Sequence, residues 1–382
     1  MKFLTGSFFK KYLLPGFVFQ SVVIAGGYGT GRELVEYFLN YGPLGGLLGM
    51  LLTTFIWSIL LAVTFEFSRK FQAYDYRTFF NKLLGPFWFL FEILYFILLF
   101  IVLAVIGSAA GVLIRDNFGI PYIIGVIIML AAIGFLTFKG SNLIEKFLSG
   151  WSILLYILYG FFLIAAVLKF GPRIQESFSS GVILSKWSLG GFKYALYNLG
   201  IIPAILFCVS HIETRKEAVS AGLLGGLIGI MPGFLFYIAV VSYYPAVLPE
   251  EIPALFILQK IGSPLLLISF QVVLLGTLIE TGTGFVHAVN QRLESALRAK
   301  GKELPQWQRP LVAVVLLLIG LGISTFGLID LIAKGYGTIS WGFFLVFVIP
   351  LISVGLYKIM SRKIPGKLKS KKESEFTGSN LD

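Results

Sequence analysis

Residues 25–37 read AGGYGTGRELVEY, and this stretch decides the fold because it interrupts an apolar run long enough to span a membrane. Gly26, Gly27, Gly29 and Gly31 place four glycines within six residues, near the expected middle of the bilayer. Glycine destabilises a helix and tolerates positive φ angles, so we predict that the helix is broken here. Unwound backbone at this depth is tolerated only inside protein or beside a watery cavity, so the break predicts a binding site.

The composition is that of an integral membrane protein. Hydrophobic residues make up 57% of the 382 residues and charged residues 13%, whereas soluble domains carry about 25% charge. The net charge of +12 lies in a few short connections and the ends, which is typical of membrane orientation rather than of nucleic-acid binding. With two histidines, the single Cys208 and no HExxH or GxSxG motif, the chain is not expected to be an enzyme, to hold a metal or cofactor, or to form an intrachain disulfide.

Ten apolar runs are long enough to cross about 30 Å of hydrocarbon. The predicted spans are 12–40, 44–68, 84–114, 121–138, 143–169, 191–214, 219–243, 263–297, 310–328 and 335–360. Lysine and arginine concentrate in the loops on the side that carries both termini, so the positive-inside rule predicts cytoplasmic termini and a multi-pass protein of the inner (cytoplasmic) membrane. Residues 243–262 are predicted to form short helices over the external face, and 362–382 a disordered cytoplasmic tail.

A weak internal repeat divides the chain into two halves. GPLGGLLGM at 42–50 and GLLGGLIGI at 222–230 share their glycine spacing, although close helix packing alone would also explain these glycines. Each motif lies near the start of the span that follows a broken one. The first span is broken at its glycines, and Asn198, Gly200 and Pro203 interrupt the sixth. Two interrupted spans in corresponding positions are typical of a transporter's binding site. The resulting domains are a first five-helix repeat (1–170), an external loop (171–190) and an inverted second repeat (191–361).

Three segments carry a resemblance to a known family. They are GGYGTGRELVEYF at 26–38, YNLGIIPA at 197–204 and ETGTGFVHAVNQRL at 280–293. Together they resemble the YkvI-type family, a branch of the amino acid, polyamine and organocation (APC) transporter superfamily. The resemblance implies an all-α LeuT-type fold: ten transmembrane helices in two inverted five-helix repeats, helices 1 and 6 broken, with alternating access to a central site. A divalent-metal carrier of that fold would show Asp-Pro-Gly at the first break and methionine at the second, and neither is present.

The candidate substrate-binding residues lie at the two breaks, where half-helix N-termini can hold a carboxylate and free carbonyls a cation. They are Gly27, Tyr28, Gly29, Thr30, Gly31, Tyr197, Asn198 and Gly200. Tyr95 joins them because it resembles the central-site tyrosine of the fold. Arg32, Glu33 and Glu36 are candidate gating residues, although the i, i+4 spacing of Arg32 and Glu36 also fits a simple ion pair.

The eighth span carries one polar stripe along an otherwise apolar helix. At 100° per residue its members share one face, and they are Thr277, Glu280, Thr283, Gly284, His287 and Gln291. The resemblance implies a sodium site near Glu280 and Thr281. In sodium-independent relatives, a lysine occupies the place of the sodium ion. Lys146 occupies a similar position, so a Lys146–Glu280 pair predicts proton coupling. A lysine that snorkels to the interface is the alternative interpretation of Lys146, and sodium held by Thr281 or Thr283 is the alternative to proton coupling.

These features predict a secondary active transporter. It would move a small polar, amino-acid-like solute by alternating access through the lipid bilayer, coupled to protons in preference to sodium. The alternative is a receptor or sensor that keeps the fold and binds a solute without turnover. The expected partners are thus a small molecule and the bilayer, not nucleic acid.

Overall fold

The computed structural model of the chain describes residues 6–24, 26–139, 141–298 and 308–361. The fold is all-helical: helix accounts for 87% of the residues in these ranges, and no strand occurs within them. Six helices of this described part are long and apolar enough to cross a membrane. They are Pro43–Phe71, Tyr76–Phe118, Tyr156–Ser179, Arg215–Val241, Pro264–His287 and Leu328–Met360. The shorter apolar helices Tyr122–Thr137 and Leu311–Ser324 lie among them.

In the first half, the predicted span 12–40 consists of separate helical segments. These are a π-helical turn at Phe9–Leu13, α1 (Leu14–Val23), α2 (Gly26–Gly29) and α3 (Arg32–Tyr37). The longer helices are α4 (Pro43–Phe71), α5 (Tyr76–Leu84), α6 (Phe89–Phe118), α7 (Tyr122–Lys139) and α8 (Ser141–Ser179). Gly31 adopts a φ of +79°, the left-handed backbone that glycine accepts without strain, and α3 therefore begins in a new direction.

In the second half, the predicted span 191–214 is likewise segmented. Helix α9 (Trp187–Asn198) is followed by the 3₁₀ segments Leu199–Ala204 and Leu206–His211. The remaining helices are α10 (Arg215–Val241), α11 (Pro253–Ile261), α12 (Pro264–Arg298), α13 (Gln308–Ser324) and α14 (Leu328–Met360, with π-helical stretches). α10 begins with a capping box, in which Thr214 accepts from the backbone N–H of Glu217 and the Glu217 side chain accepts from that of Thr214.

The fifth span is longer than the sequence predicts. Helix α8 continues to Ser179, so the connection predicted at 171–190 is helical over its first part. Gly171 and Pro172 favoured an end near residue 170, but packing against the end of α10 outweighs that preference. The Arg173 guanidinium lies 4.6 Å from the ring centroid of Tyr243, and the Ser177 hydroxyl donates to the Val241 carbonyl at 3.1 Å.

Helices α4 and α10 pack closely along the α10 glycines of the predicted repeat. A Cβ atom on Gly222 would lie 2.2 Å from the backbone nitrogen of Ala62, and one on Gly226 would lie 2.3 Å from Ser58 Oγ. The Ser58 hydroxyl donates to the Leu223 carbonyl at 3.0 Å. Small residues allow this approach between helices in a membrane, where apolar burial gives little driving force.

The two ends of the bundle differ in charge and in what closes them. The basic end carries Lys11, Arg69, Lys70, Lys82, Arg292 and Lys358. There Lys11 forms ion pairs with Glu213 and Glu217 at 2.9 and 3.1 Å. The far end is covered by residues 242–252 and α11, and Arg115 pairs there with Glu251 at 2.6 Å.

Candidate functional site

The segmented regions around α2 and after α9 meet at a small cavity in the middle of the bundle. Its volume is about 20 Å³, which is room for roughly one water molecule. Helices α1, α3, α6, α9, α12 and α14 all contribute to its wall. The lining residues are Val22, Val23, Glu33, Leu98, Val102, Tyr197, Asn198, Ile201, Phe285 and Tyr336.

Glu33 is the carboxylate of this cavity. Its side chain is buried, with 3% exposure, and accepts a short hydrogen bond from the Tyr197 hydroxyl. The Tyr197 ring stacks on Tyr336 at a centroid distance of 4.6 Å and an angle of 8°. The adjacent Asn198 amide donates to the Tyr194 carbonyl at 3.0 Å, which fixes that side chain at the end of α9. Two predicted substrate residues and one predicted gating residue therefore share one wall.

Arg32, next to Glu33, points away from the cavity and ties α3 to the far end. Its Nη1 donates to the carbonyls of Leu248 at 2.6 Å and Glu250 at 3.1 Å. Its Nη2 forms the predicted i, i+4 ion pair with Glu36 at 2.9 Å. In the part of the chain that the structure describes, Glu33 thus has a tyrosine as its hydrogen-bond partner and no ion pair.

The glycines of the first interruption allow close contacts with neighbouring elements. A Cβ on Gly29 would lie 2.8 Å from Leu274 Cδ1, and one on Gly31 would lie 2.8 Å from Phe236 Cε1. Between them, the Thr30 carbonyl accepts from the Ala254 backbone N–H at 3.0 Å, so α11 is anchored directly on the interruption. Gly27 lies in α2, and its surroundings are outside the described side chains.

Two further candidates pack away from the cavity wall. Tyr28 is 1% exposed, and its hydroxyl approaches Gly233 of α10, where an added Cβ would lie 2.6 Å away. That hydroxyl has no hydrogen-bond partner among the described residues. Gly200 packs against Phe343, whose ring would lie 2.5 Å from an added Cβ. Both residues shape the helices around the site, and neither is among the lining residues.

Tyr95 lies on the basic-end side of the cavity rather than in its wall. It belongs to a cluster in which the Arg292 guanidinium carbon lies 3.7 Å from the Tyr95 ring centroid and 4.3 Å from that of Tyr76. The Tyr76 hydroxyl donates to Glu92 at 3.0 Å, and Arg292 Nη1 lies 4.0 Å from the same Glu92 oxygen. We call these four residues the arginine clamp. It joins α5 and α6 to α12.

Replacing Arg292 with glutamine is expected to loosen the basic end. The stacked guanidinium holds α12 against α6 through cation–π contacts that contribute about 2 kcal/mol when desolvated. Hydrogen exchange of the first turns of α6 and the last turns of α12 should accelerate about 10-fold, because local opening becomes easier. Arg77→Gln is the control, since the Arg77 guanidinium lies over Trp88 at 5.3 Å on an exposed side chain. Equal exchange in both variants would contradict a clamp function.

Of the predicted ion-coupling residues, the three on α12 are described and the Lys146 side chain is not. Thr283 is buried, with 1% exposure, and its hydroxyl has no hydrogen-bond partner among the described residues. Glu280 and Thr281 are half-buried. Lys146 lies in α8, but its side chain is outside the described part of the chain. The Lys146–Glu280 pair therefore stays a prediction.

Among the residues near the centre that the sequence reasoning did not single out are Phe285, Tyr336 and Arg292. Phe285 and Tyr336 line the cavity, but each is an aromatic residue inside a predicted span, where packing alone would explain it. Arg292 follows Gln291 at the end of the polar stripe, and an arginine so close to a helix end looks like an ordinary interfacial charge. Within the described residues, His, Cys, Asp and Glu form no group of three or more that could hold a metal ion.

Comparisons with known proteins bear on the family. No protein-family profile matches the chain. The chain is 23% identical over 297 residues to YkvI of Bacillus subtilis, a membrane protein described as uncharacterized; the match covers 75% of this chain and 82% of YkvI. The resemblance predicted from the sequence is therefore confirmed.

Similar solved structures show the fold. The manganese transporter of Eremococcus coleocola superposes with a TM-score of 0.55 at 15% identity, covering 92% of this chain and 79% of the transporter. MhsT in complex with L-phenylalanine gives 0.52 at 17% identity, covering 90% and 96%. A Na⁺-coupled sialic acid symporter gives 0.50 at 12% identity, covering 91% and 87%. These are LeuT-fold transporters, and the chain is a multi-pass membrane protein with the same fold.

Proposed function

We propose that this LeuT-fold relative of YkvI is a secondary active transporter for a small polar, amino-acid-like solute. The observation that carries the proposal is the cavity where the two segmented regions meet, whose lining includes Glu33, Tyr197 and Asn198. A central site between interrupted helices is the arrangement by which carriers of this kind bind a solute at the middle of the membrane. Its transporter neighbours support the same general function.

The proposal includes ten transmembrane helices in two inverted repeats, with the first and sixth broken. Helices α4 and α10 support it: each follows a segmented region, and Gly222 and Gly226 of α10 pack closely against Ala62 and Ser58 of α4. Such a pair at the repeat interface gives a frame against which other helices can rock. The basic end is proposed to face the cytoplasm together with both termini, in the inner membrane.

Separate contacts close the cavity toward each end, as alternating access requires. Toward the far end, Arg32 holds residues 242–252 and the Thr30 carbonyl holds α11. Toward the basic end, the arginine clamp joins α12 to α6 beyond Phe285. Opening one set while the other stays closed would expose the site to one side of the membrane at a time.

Uptake by purified protein in liposomes tests the proposal. We expect an imposed pH gradient to drive uptake from pooled amino acids, amines or organic acids. The alternative driving force is a sodium gradient, with the sodium ion held by Thr281 or Thr283. Empty liposomes and a collapsed gradient are the controls. Solute binding that stabilises the protein while no gradient drives any uptake would instead identify a receptor or sensor.

Glu280→Gln is expected to abolish uptake driven by a pH gradient while exchange of solute for solute continues. The reason is that an ionisable residue half-buried in a span can bind and release the coupling proton, whereas glutamine cannot. Glu176→Gln is the matched control because Glu176 is exposed near the end of α8. Unchanged driven uptake in Glu280→Gln would remove Glu280 from the coupling mechanism.

A further inference from the structure

The charge inventory of the central cavity is unbalanced. Glu33 brings a carboxylate, and the lining residues within the described chain include no lysine, arginine or histidine. The neighbouring Arg32 forms an ion pair with Glu36 and donates hydrogen bonds to the carbonyls of Leu248 and Glu250. The Tyr197 hydroxyl donates a hydrogen bond to Glu33 but supplies no positive charge.

A carboxylate enclosed in this way needs a cation. Burying an ionised group without a counter-charge is costly, and ionisable residues inside membrane spans mark sites for ions, protons or ligands. A proton can supply the charge when the site is empty, and a positively charged ligand can supply it when the site is filled. A ligand carboxylate would meet repulsion from Glu33 at the same place.

The remaining lining favours a cation as well. The rings of Tyr197, Tyr336 and Phe285 surround the cavity, and aromatic faces attract ammonium groups. The free volume of about 20 Å³ is close to that of one water molecule. A primary ammonium head is similar in size to water and fits beside Glu33, whereas a trimethylammonium head is several times larger. The rest of the solute needs the wider opening that alternating access provides.

We propose that this site selects solutes with a primary ammonium group and that Glu33 forms the ion pair with it. This inference rests on the proposed transport function, for which it names the substrate class. Proton and ammonium compete for one carboxylate, so binding of the amine weakens as the pH falls. Glu280 is not among the lining residues of this cavity, so separate variants test its coupling function and this selectivity.

Four probes of matched chain length or charge test the selectivity on the purified full-length protein. They are butylamine, 1-butanol, butyrate and tetramethylammonium, and ligand-induced thermal stabilisation reports binding. At about pH 8, where the amine is still charged, butylamine should bind at least 10-fold more tightly than each of the other three. At about pH 5 its affinity should fall about 10-fold. Equal binding of butylamine and butanol, preference for butyrate, or no binding of butylamine overturns the proposal.

Variants assign the preference to Glu33. Glu33→Gln should reduce butylamine affinity about 100-fold and remove its pH dependence, because the ion pair is lost from a desolvated site. Glu33→Asp keeps the charge and should retain the preference for butylamine. The pH dependence of butylamine binding to the unaltered protein tests the same carboxylate without a substitution. Glu176→Gln should behave like the unaltered protein, and an unchanged amine preference in Glu33→Gln overturns the assignment.

The result of the amine-binding test can be distinguished from the result of the transport test. If gradients drive uptake of other solutes and no amine preference exists, the selectivity proposal fails and the transporter proposal stands. If the amine binds through Glu33 and no gradient drives uptake of any solute, the transporter proposal fails and the binding site stands.

Discussion

Gly222→Ala is expected to destabilise the protein severely, because the added methyl group has nowhere to go. Its Cβ would lie 2.2 Å from the backbone nitrogen of Ala62 and 2.3 Å from the Ala62 Cα. Backbone atoms cannot rotate out of the way, so α4 and α10 must separate along the contact that also contains Gly226 and Ser58. Overpacking of this kind costs about 3 kcal/mol in the free energy of unfolding. Thermal unfolding in detergent measures the loss.

Gly160→Ala is the matched control for Gly222→Ala. Both glycines lie inside long helices, but nothing lies within 4 Å of a Cβ added at Gly160. Alanine should be neutral there, or stabilising by about 0.5–1 kcal/mol through its higher helix propensity. Equal stability of the two variants would show that the close contact between α4 and α10 is not important for the fold.

The sequence predicts where the helices lie because membrane spans follow from long apolar runs. Nearly every predicted span corresponds to a helix, and the clearest discrepancy is α8, which continues to Ser179. There the local signal of Gly171 and Pro172 was outweighed by contacts with Tyr243 and Val241, residues more than sixty positions away. Helix ends set by long-range packing are not readable from local patterns.

The place of the central site was predictable, whereas the assignment of side chains to it was only partly so. The glycines at 26–31 and Asn198 marked the two regions that meet at the cavity. Glu33 was assigned to a gate because it follows the glycines, on the outer half of the first span. The structure places Glu33 in the cavity wall, after the turn made by the positive φ of Gly31.

Tyr95 shows the opposite difficulty. Its resemblance to the central-site tyrosine of the fold made it a candidate for the site, and the neighbouring Leu98 does line the cavity. Its ring instead packs under Arg292, a residue almost two hundred positions away. Pairings between distant helices depend on the three-dimensional arrangement, and no spacing in the sequence encodes them. The arginine clamp is therefore a finding of the structure alone.

Arg32→Gln is expected to release the far-end cover from α3. The Arg32 side chain is 4% exposed and holds Glu36, Leu248 and Glu250 together. Glutamine cannot supply the charge or the forked donors, so Glu36 loses its cation and two carbonyls lose their donor. Breaking a buried ion pair in this way costs about 3 kcal/mol. Thermal unfolding should show this loss, and limited proteolysis should cut residues 242–252 faster.

Lys334→Gln is the control for Arg32→Gln, since it breaks another i, i+4 ion pair of the same 2.9 Å length. The side chains of Lys334 and Asp330 are 76% and 48% exposed, and exposed pairs contribute only about 0–1 kcal/mol because water screens them. Arg32→Lys should fall between the two variants, because an ammonium pairs with Glu36 but cannot form the fork. If Arg32→Gln costs no more than Lys334→Gln, Arg32 does not hold the cover, and the far-end barrier must rest on the α11 contact with Thr30.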